Sequence, residues 1–210
     1  MEKYVKIINI VDRSGSMNSM IDVAINGFNE FLEEQKRVEG NALVTTVLFS
    51  DSYRILYENK DIKNCDYLNK NNYQPGGMTA LYDSIGKSIE NEIEILGSLP
   101  LEQRPEKTLC IILTDGYENK SSKFKREQIK DIITEMRNDF NWEFIFLAAN
   151  EEASLTAQTM GISKGNSYSF ANSSSGLEDA YKGISYATSN YRTTKSMDTS
   201  NLMDDYKSDK

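Results

Sequence analysis

Histidine is absent from this chain, and cysteine, proline and tryptophan are scarce. The 210 residues contain no histidine, two cysteines, three prolines and one tryptophan. Zinc sites need several Cys or His ligands, and a disulfide framework needs more cysteines than Cys65 and Cys110. A zinc centre, a disulfide framework and histidine-based acid–base catalysis are therefore excluded.

An excess of basic residues is also missing. The chain has 24 Lys and Arg against 32 Asp and Glu, a formal net charge of −8 at pH 7. Because non-specific nucleic-acid binding depends on clustered Lys and Arg, this balance argues against a nucleic-acid partner. The composition shows no transmembrane run, and the first residues lack the basic start and apolar segment of a signal peptide. We therefore expect a cytoplasmic protein without a membrane span.

The first apolar stretch ends in a loop rich in oxygen-bearing side chains. Residues 5–11 are mostly β-branched and apolar, which predicts a buried strand, and Asp12, Ser14 and Ser16 follow at alternate positions around Gly15. Oxygen ligands suit a hard divalent cation such as Mg²⁺. One carboxylate with two hydroxyls leaves positive charge on such an ion, and hence room for an acidic ligand.

Strand and helix patterns alternate along the rest of the chain. Residues 42–50 and 53–57 predict an antiparallel hairpin, whereas the apolar runs at 107–113 and 142–149 predict buried parallel strands separated by amphipathic helices. The predicted fold is a three-layer, doubly wound α/β domain, with one antiparallel edge strand in a mostly parallel sheet and helices on both faces. We expect this domain to span residues 1–193, with residues 194–210 forming a polar, disordered tail.

Two further oxygen-bearing residues are predicted to meet the first loop. Asp115 ends the strand at 107–113, and Thr79 follows the Gly76-Gly77 loop at the start of a helix. In such sheets ligands bind outside the carboxyl ends of the strands, at the point where the strand order reverses. The first loop, Thr79 and Asp115 can therefore meet at this edge of the sheet.

These motifs resemble the metal-ion-dependent adhesion site (MIDAS) of the von Willebrand factor type A (VWA) domain family. The pattern Asp-x-Ser-x-Ser begins at Asp12, Thr79 lies in Gly-Gly-Met-Thr-Ala-Leu, and Asp115 lies in Leu-Thr-Asp-Gly. The resemblance covers about residues 4–190 and is greatest to stand-alone bacterial and phage members. It implies that Mg²⁺, or alternatively Mn²⁺ or Ca²⁺, binds the five residues, with Thr79 and Asp115 acting directly or through water.

The resemblance also implies a function. A partner protein would complete the metal shell with an Asp or Glu carboxylate, so we expect a metal-dependent protein-binding module without enzymatic activity. One alternative is a Mg²⁺-dependent phosphoryl-transfer or hydrolytic enzyme with Asp12 as nucleophile. Against it, Ser14 stands where phosphatases of the haloacid dehalogenase type have a second Asp. Another alternative is a regulatory subunit of an AAA+ ATPase or a kinase.

Several polar residues near the site have two interpretations. Asp83 either holds a Ser or a water near the metal or is a solvated or capping acid in the first turn of the helix after Thr79, and we favour a plain turn role for Asp51. Glu118 and Asn119 follow Asp115, where they either select the partner or are merely solvated.

Overall fold

A computed structural model describes residues 3–149, 153–194 and 199–208. Six strands form one sheet in the order β3-β2-β1-β4-β5-β6. Only the edge strand β3 runs antiparallel to its neighbour; the other pairings are parallel. This arrangement confirms the predicted fold class. The strands are β1 (Tyr4–Asp12), β2 (Asn41–Phe49), β3 (Tyr53–Asp61), β4 (Lys107–Thr114), β5 (Trp142–Ala148) and β6 (Ser167–Ser169).

Helices cover both faces of the sheet. Alternate residues of β1 face opposite ways, so that Ile7 and Val11 join the core beneath α1, α5 and α6, while Ile8 and Ile10 join the core beneath α2, α3 and α4. Burial on both faces explains the almost unbroken apolar sequence of β1 and β4. The helices are α1 (Ile21–Arg37), α2 (Leu81–Ser98), α3 (Arg126–Phe140), α4 (Ala153–Thr159), α5 (Ser174–Thr193) and α6 (Leu202–Ser208).

The strand order reverses between β1 and β4. The chain first moves from β1 outward to β2 and β3, and then returns to add β4 on the other side of β1. Both strands are parallel, so Asp12 at the end of β1 and Thr114 at the end of β4 lie at the same edge of the sheet. A crevice at this edge is the usual ligand site of a doubly wound fold.

Strand β3 is longer than predicted because it contains a bulge. Val44 of β2 pairs with Lys60 and Thr46 pairs with Tyr57, so two residues of β3, Glu58 and Asn59, lie opposite one residue of β2. Asn59 has φ of 48°, in the left-handed region that Asn tolerates better than most residues. The extra residue interrupts the alternating pattern after Tyr57, which is why the sequence indicated a strand that ends there.

The last described segment differs from the expected disordered tail. Residues 202–208 form α6, whose Leu202 and Met203 are buried in the core that also contains α5. Tyr206 donates a hydrogen bond of 2.9 Å from its hydroxyl to Oδ1 of Asp179 on α5. Two apolar residues suffice to attach this short, otherwise polar helix, which is too weak a pattern to predict from sequence. Residues 195–198, 209 and 210 of the predicted tail lie outside the described residues.

No helix among the described residues is long and apolar enough to cross a membrane.

Replacing Met203 by Ala tests whether α6 belongs to the folded domain. The Met203 side chain is fully buried, so we expect its truncation to lower the free energy of unfolding by about 2 to 5 kcal/mol in urea denaturation. The matched control is Asp205→Ala in the same helix, an exposed position where the change should remain below about 1 kcal/mol. A loss for Met203→Ala as small as that for Asp205→Ala would show that α6 contributes nothing to the core.

Candidate metal centre

Asp12 lies at the centre of the site and is completely buried. Its Oδ1 accepts a 2.6 Å hydrogen bond from the backbone amide of Ser14, and its Oδ2 accepts one of 2.6 Å from the Thr114 hydroxyl. The Tyr73 hydroxyl donates to the Asp12 backbone carbonyl at 2.7 Å. Burial raises the pKa of Asp12 to about 6, although these hydrogen bonds to the carboxylate act in the opposite direction.

Two serines connect the first loop to Asp115. The hydroxyl oxygens of Ser14 and Ser16 are 3.1 Å apart, and Ser16 donates to Oδ1 of Asp115 at 2.7 Å. The other carboxylate oxygen, Oδ2 of Asp115, is buried and has no hydrogen-bond partner among the described residues. Burial raises the pKa of Asp115, while the bond from Ser16 lowers it. A buried carboxylate oxygen without a donor is costly unless another group, such as a cation, completes the site.

Thr79 approaches the same point from a different loop. A Cβ at Gly116 would lie 3.2 Å from Thr79 Oγ1 and 3.7 Å from Ser16 Oγ, so both hydroxyls border the small space that Gly116 leaves open. The structure therefore brings together all five residues that the sequence singled out.

Glycines let the loop before Thr79 pack against the first loop. Gly76 donates its amide to the Arg13 carbonyl at 2.8 Å, and Gly15 donates to the Gly77 carbonyl at 3.0 Å. Gly77 has φ of 80°, and a Cβ there would lie 2.4 Å from Asp51 Oδ1. A side chain at 77 would therefore be strained and would collide with Asp51. Asp51 is exposed and packs against this loop, in keeping with the turn role expected for it.

Asp83 holds the loop that follows Asp115. Its Oδ1 accepts hydrogen bonds from the backbone amides of Lys123 at 2.9 Å and Phe124 at 2.8 Å, and its Oδ2 accepts one from Ser122 at 3.1 Å. Burial acts to raise the pKa of Asp83, but these backbone donors outweigh it and the pKa is lowered. Asp83 thus accepts from loop amides and not from the amides of its own helix, and it fastens the loop after Asp115 to the start of α2.

Glu118 fastens the same loop from the other side. It accepts hydrogen bonds from the backbone amides of Tyr82 at 3.0 Å, Lys120 at 2.8 Å and Ser121 at 2.6 Å. The Tyr82 amide belongs to the first turn of α2, where helices leave their N–H groups without internal partners. The Glu118 carboxylate therefore stabilises the loop conformation and is not simply solvated.

Asn119 attaches the loop directly to Thr79. Its side-chain Oδ1 accepts a hydrogen bond of 2.9 Å from the Thr79 backbone N–H, and its backbone N–H donates one of 3.0 Å to the Thr79 carbonyl. This pair fixes the backbone of the candidate ligand Thr79. The sequence reasoning missed this role, and it also missed Thr114 and Tyr73, which hold Asp12. Thr114 could have been suspected from its position next to Asp115, but the sequence offers no signal for Tyr73.

The donor set suits a hard divalent cation. Two carboxylates and three hydroxyls converge, all of them oxygen donors of the kind that Mg²⁺, Mn²⁺ and Ca²⁺ accept. No group of three or more His, Cys, Asp or Glu side chains suitable for a metal occurs within the described ranges, so the site is poor in negative charge. The Asp115 Oδ2, which has no hydrogen-bond partner in the described part of the chain, and the space beside Gly116 would accommodate a divalent cation. Ser16 is exposed, which leaves the site open to an incoming ligand.

Solved structures of similar fold come from diverse organisms. A von Willebrand factor type A protein from Catenulispora acidiphila superposes with a TM-score of 0.60 at 14% identity, over 90% of this chain and 43% of that one. Proximal thread matrix protein 1 from the mussel byssus, solved with a zinc-occupied MIDAS motif, gives 0.58 at 14% identity over 90% and 46%. The pilus adhesin SpaC from Lactobacillus rhamnosus GG gives 0.60 at 13% identity over 90% and 30%.

This chain spans less than half the length of each of these structures. A comparison with curated proteins gave no match. The family model of the von Willebrand factor type A domain, in contrast, matches residues 7–183, most of the chain. Together with the doubly wound sheet, this match shows that the chain belongs to the von Willebrand factor type A domain family.

Proposed function

We propose that this VWA domain is a divalent-metal-dependent protein-binding module and has no enzymatic activity. In the proposal, Asp12, Ser14, Ser16, Thr79 and Asp115 hold Mg²⁺, and a partner protein supplies an Asp or Glu carboxylate. Mn²⁺ or Ca²⁺ would substitute for Mg²⁺. The observation that carries the proposal is that the five oxygen-bearing side chains lie together and that one buried carboxylate oxygen among them, Asp115 Oδ2, has no donor within the described residues.

Charge explains why the site would recruit an acidic ligand. Two carboxylates balance a divalent cation only if both are close and ionised, and three of the five ligands are neutral hydroxyls. Bound metal supplies a Lewis-acidic position that attracts a further oxygen anion. The chain's own contribution is positional: Thr114 and Ser14 orient the Asp12 carboxylate, while Asn119 fixes the backbone of Thr79.

The surroundings of Asp12 speak against the enzymatic alternative. A nucleophilic carboxylate must reach its substrate, yet Asp12 is fully buried and both of its oxygens already accept hydrogen bonds. The other alternative, a regulatory subunit of an AAA+ ATPase or a kinase, is a special case of protein binding. The bacterial or phage source and the cytoplasmic location expected from the sequence stay predictions.

A metal-dependent capture experiment tests the proposed function. Immobilised protein is exposed to extract from the source cells with Mg²⁺ or with EDTA, and captured proteins are identified by mass spectrometry. We expect a partner that is retained only with metal and is released by EDTA. Its binding should be lost when a single Asp or Glu of the partner is changed to Ala. Capture that persists in EDTA would contradict the proposal, and an ATPase or kinase among the captured proteins would identify the regulatory case.

Filling the space beside Gly116 should weaken metal binding. We expect Gly116→Ala to reduce the affinity for Mn²⁺ by about 10- to 100-fold in calorimetric titration, because the new methyl group crowds Thr79 and Ser16. Asp12→Asn, which keeps the shape but removes the charge, should abolish binding. The matched control is Gly76→Ala in the neighbouring loop, where a Cβ meets nothing within 4 Å. Equal affinities in the two alanine variants would rule out this placement of the metal.

Metal affinity should depend on pH because the metal and a proton compete for Asp12. The pKa of Asp12 is raised to about 6 in the metal-free protein. Above this value the carboxylate is already ionised and the affinity should be constant, whereas below it a proton must first leave and the affinity should fall. Titrations with Mn²⁺ at pH values on both sides of 6 measure the effect. An affinity that does not change across this range would contradict the assignment of Asp12 as a ligand.

A further inference from the structure

A buried lysine lies at the amino end of the central strand, away from the metal centre. Lys6 is 1% exposed, and its ammonium group is 2.7 Å from Oε2 of Glu92 on α2, which is also 1% exposed. Lys6 Nζ donates a hydrogen bond of 2.9 Å to Thr45 Oγ1. Lysine is rarely buried in the middle of a sheet, because removing its charge from water is costly.

The bulge in β3 directs Asn59 onto this lysine. Asn59 adopts the left-handed conformation in the bulge. Its backbone N–H donates a hydrogen bond of 3.1 Å to Thr45 Oγ1, and its side-chain oxygen contacts Lys6 Nζ. Bulges commonly re-aim a side chain in this way. As a result, a primary amine touches a carboxamide across the intervening strand β2, and the Glu92 carboxyl group lies beside the same amine.

The third member of the cluster has a free oxygen. Oε1 of Glu92 is buried and has no hydrogen-bond partner among the described residues. Burial lowers the pKa of Lys6 and raises that of Glu92, although their mutual attraction acts against both shifts. Both directions make proton transfer from Lys6 to Glu92 less costly, and attack on an amide needs the neutral amine that this transfer yields.

From this arrangement we propose that Lys6 and Asn59 join spontaneously in an intramolecular isopeptide bond, with Glu92 as the proton carrier. Glu92 takes a proton from the Lys6 ammonium, and the neutral Nζ then attacks Cγ of Asn59. The protonated Glu92 gives its proton to Nδ2, and the Cγ–Nδ2 bond breaks. The attacking Nζ then loses its surplus proton, by way of Glu92, to the departing ammonia, which leaves as an ammonium ion. One C–N bond forms and one breaks. The ammonium of Lys6 and the carboxamide of Asn59 become a secondary amide and an ammonium ion, so that the reaction needs no oxidant or further reactant.

Such a bond would fasten the edge of the sheet to its centre. It links β1 to β3 across β2 and closes the chain between residues 6 and 59, which limits the freedom of the unfolded chain as a disulfide does. A chain without a disulfide framework would thereby gain a covalent cross-link that does not depend on redox conditions. The proposal is independent of metal binding, because the cluster shares no residue with the metal centre.

Intact-mass measurement of the purified, denatured protein tests the proposal without any variant. We expect a mass lower than that of the sequence by one molecule of ammonia. Protease digestion should yield a branched peptide in which Lys6 is joined to Asn59. An unchanged mass would overturn the proposal and leave a non-covalent ion pair. The same mass loss mapped to another position, such as a succinimide at Asn26 before Gly27, would overturn it as well.

Two matched variants test the role of Glu92. Glu92→Gln keeps the size of the side chain but removes its acid–base chemistry, so the protein should retain the full sequence mass while circular dichroism confirms its fold. Glu94→Gln is the control, because Glu94 lies on the same helix α2 but is exposed. The control should lose ammonia as the wild type does. A cross-link in folded Glu92→Gln protein would remove Glu92 from the mechanism.

Discussion

The ordering of Asp12 at the end of the central strand is the constraint on which the candidate metal centre depends. A fully buried carboxylate is tolerated only where hydrogen bonds or a cation offset the loss of water. Here two hydrogen bonds meet this requirement, one from the Ser14 backbone amide and one from the Thr114 hydroxyl. Thr114 can donate because β4 lies next to β1 in the sheet. Because Thr114 ends β4, the same bond also sets where Asp115 begins the next loop. The two carboxylates are thus placed by one contact between neighbouring strands.

Two further carboxylates serve the scaffold instead of the ligand. Asp83 and Glu118 together accept hydrogen bonds from backbone amides of the loop after Asp115, and Glu118 also reaches the first turn of α2. Anions suit this place because the start of a helix exposes N–H groups and the positive end of its dipole. The two carboxylates therefore stabilise the loop after Asp115 through its backbone amides. The hydroxyls of Ser16 and Thr79 are not needed for this and stay available to a metal.

The two ends of the central strand present contrasting buried charges. Asp12 lies fully buried at the carboxyl end, next to a loop whose Ser16 is exposed. Lys6 lies near the amino end, enclosed by Thr45, Asn59 and Glu92. A buried charge is costly at either end, and each is accompanied by groups whose chemistry uses it: oxygen ligands for a cation in one case, a carboxamide and an acid in the other.

By itself the sequence determined most of the elements, the fold class and the five candidate ligands, because apolar periodicity and strand-ending acids are local patterns. Asp12 and Asp115 could be paired in advance since parallel strands present their carboxyl ends at one edge. Only the tertiary structure decided the roles of Tyr73, Asp83, Glu118 and Asn119, whose partners are backbone groups distant in the chain. The same holds for the β3 bulge that brings Asn59 to Lys6 and for the attachment of α6. These contacts depend on backbone geometry between remote segments, which no periodicity in the sequence records.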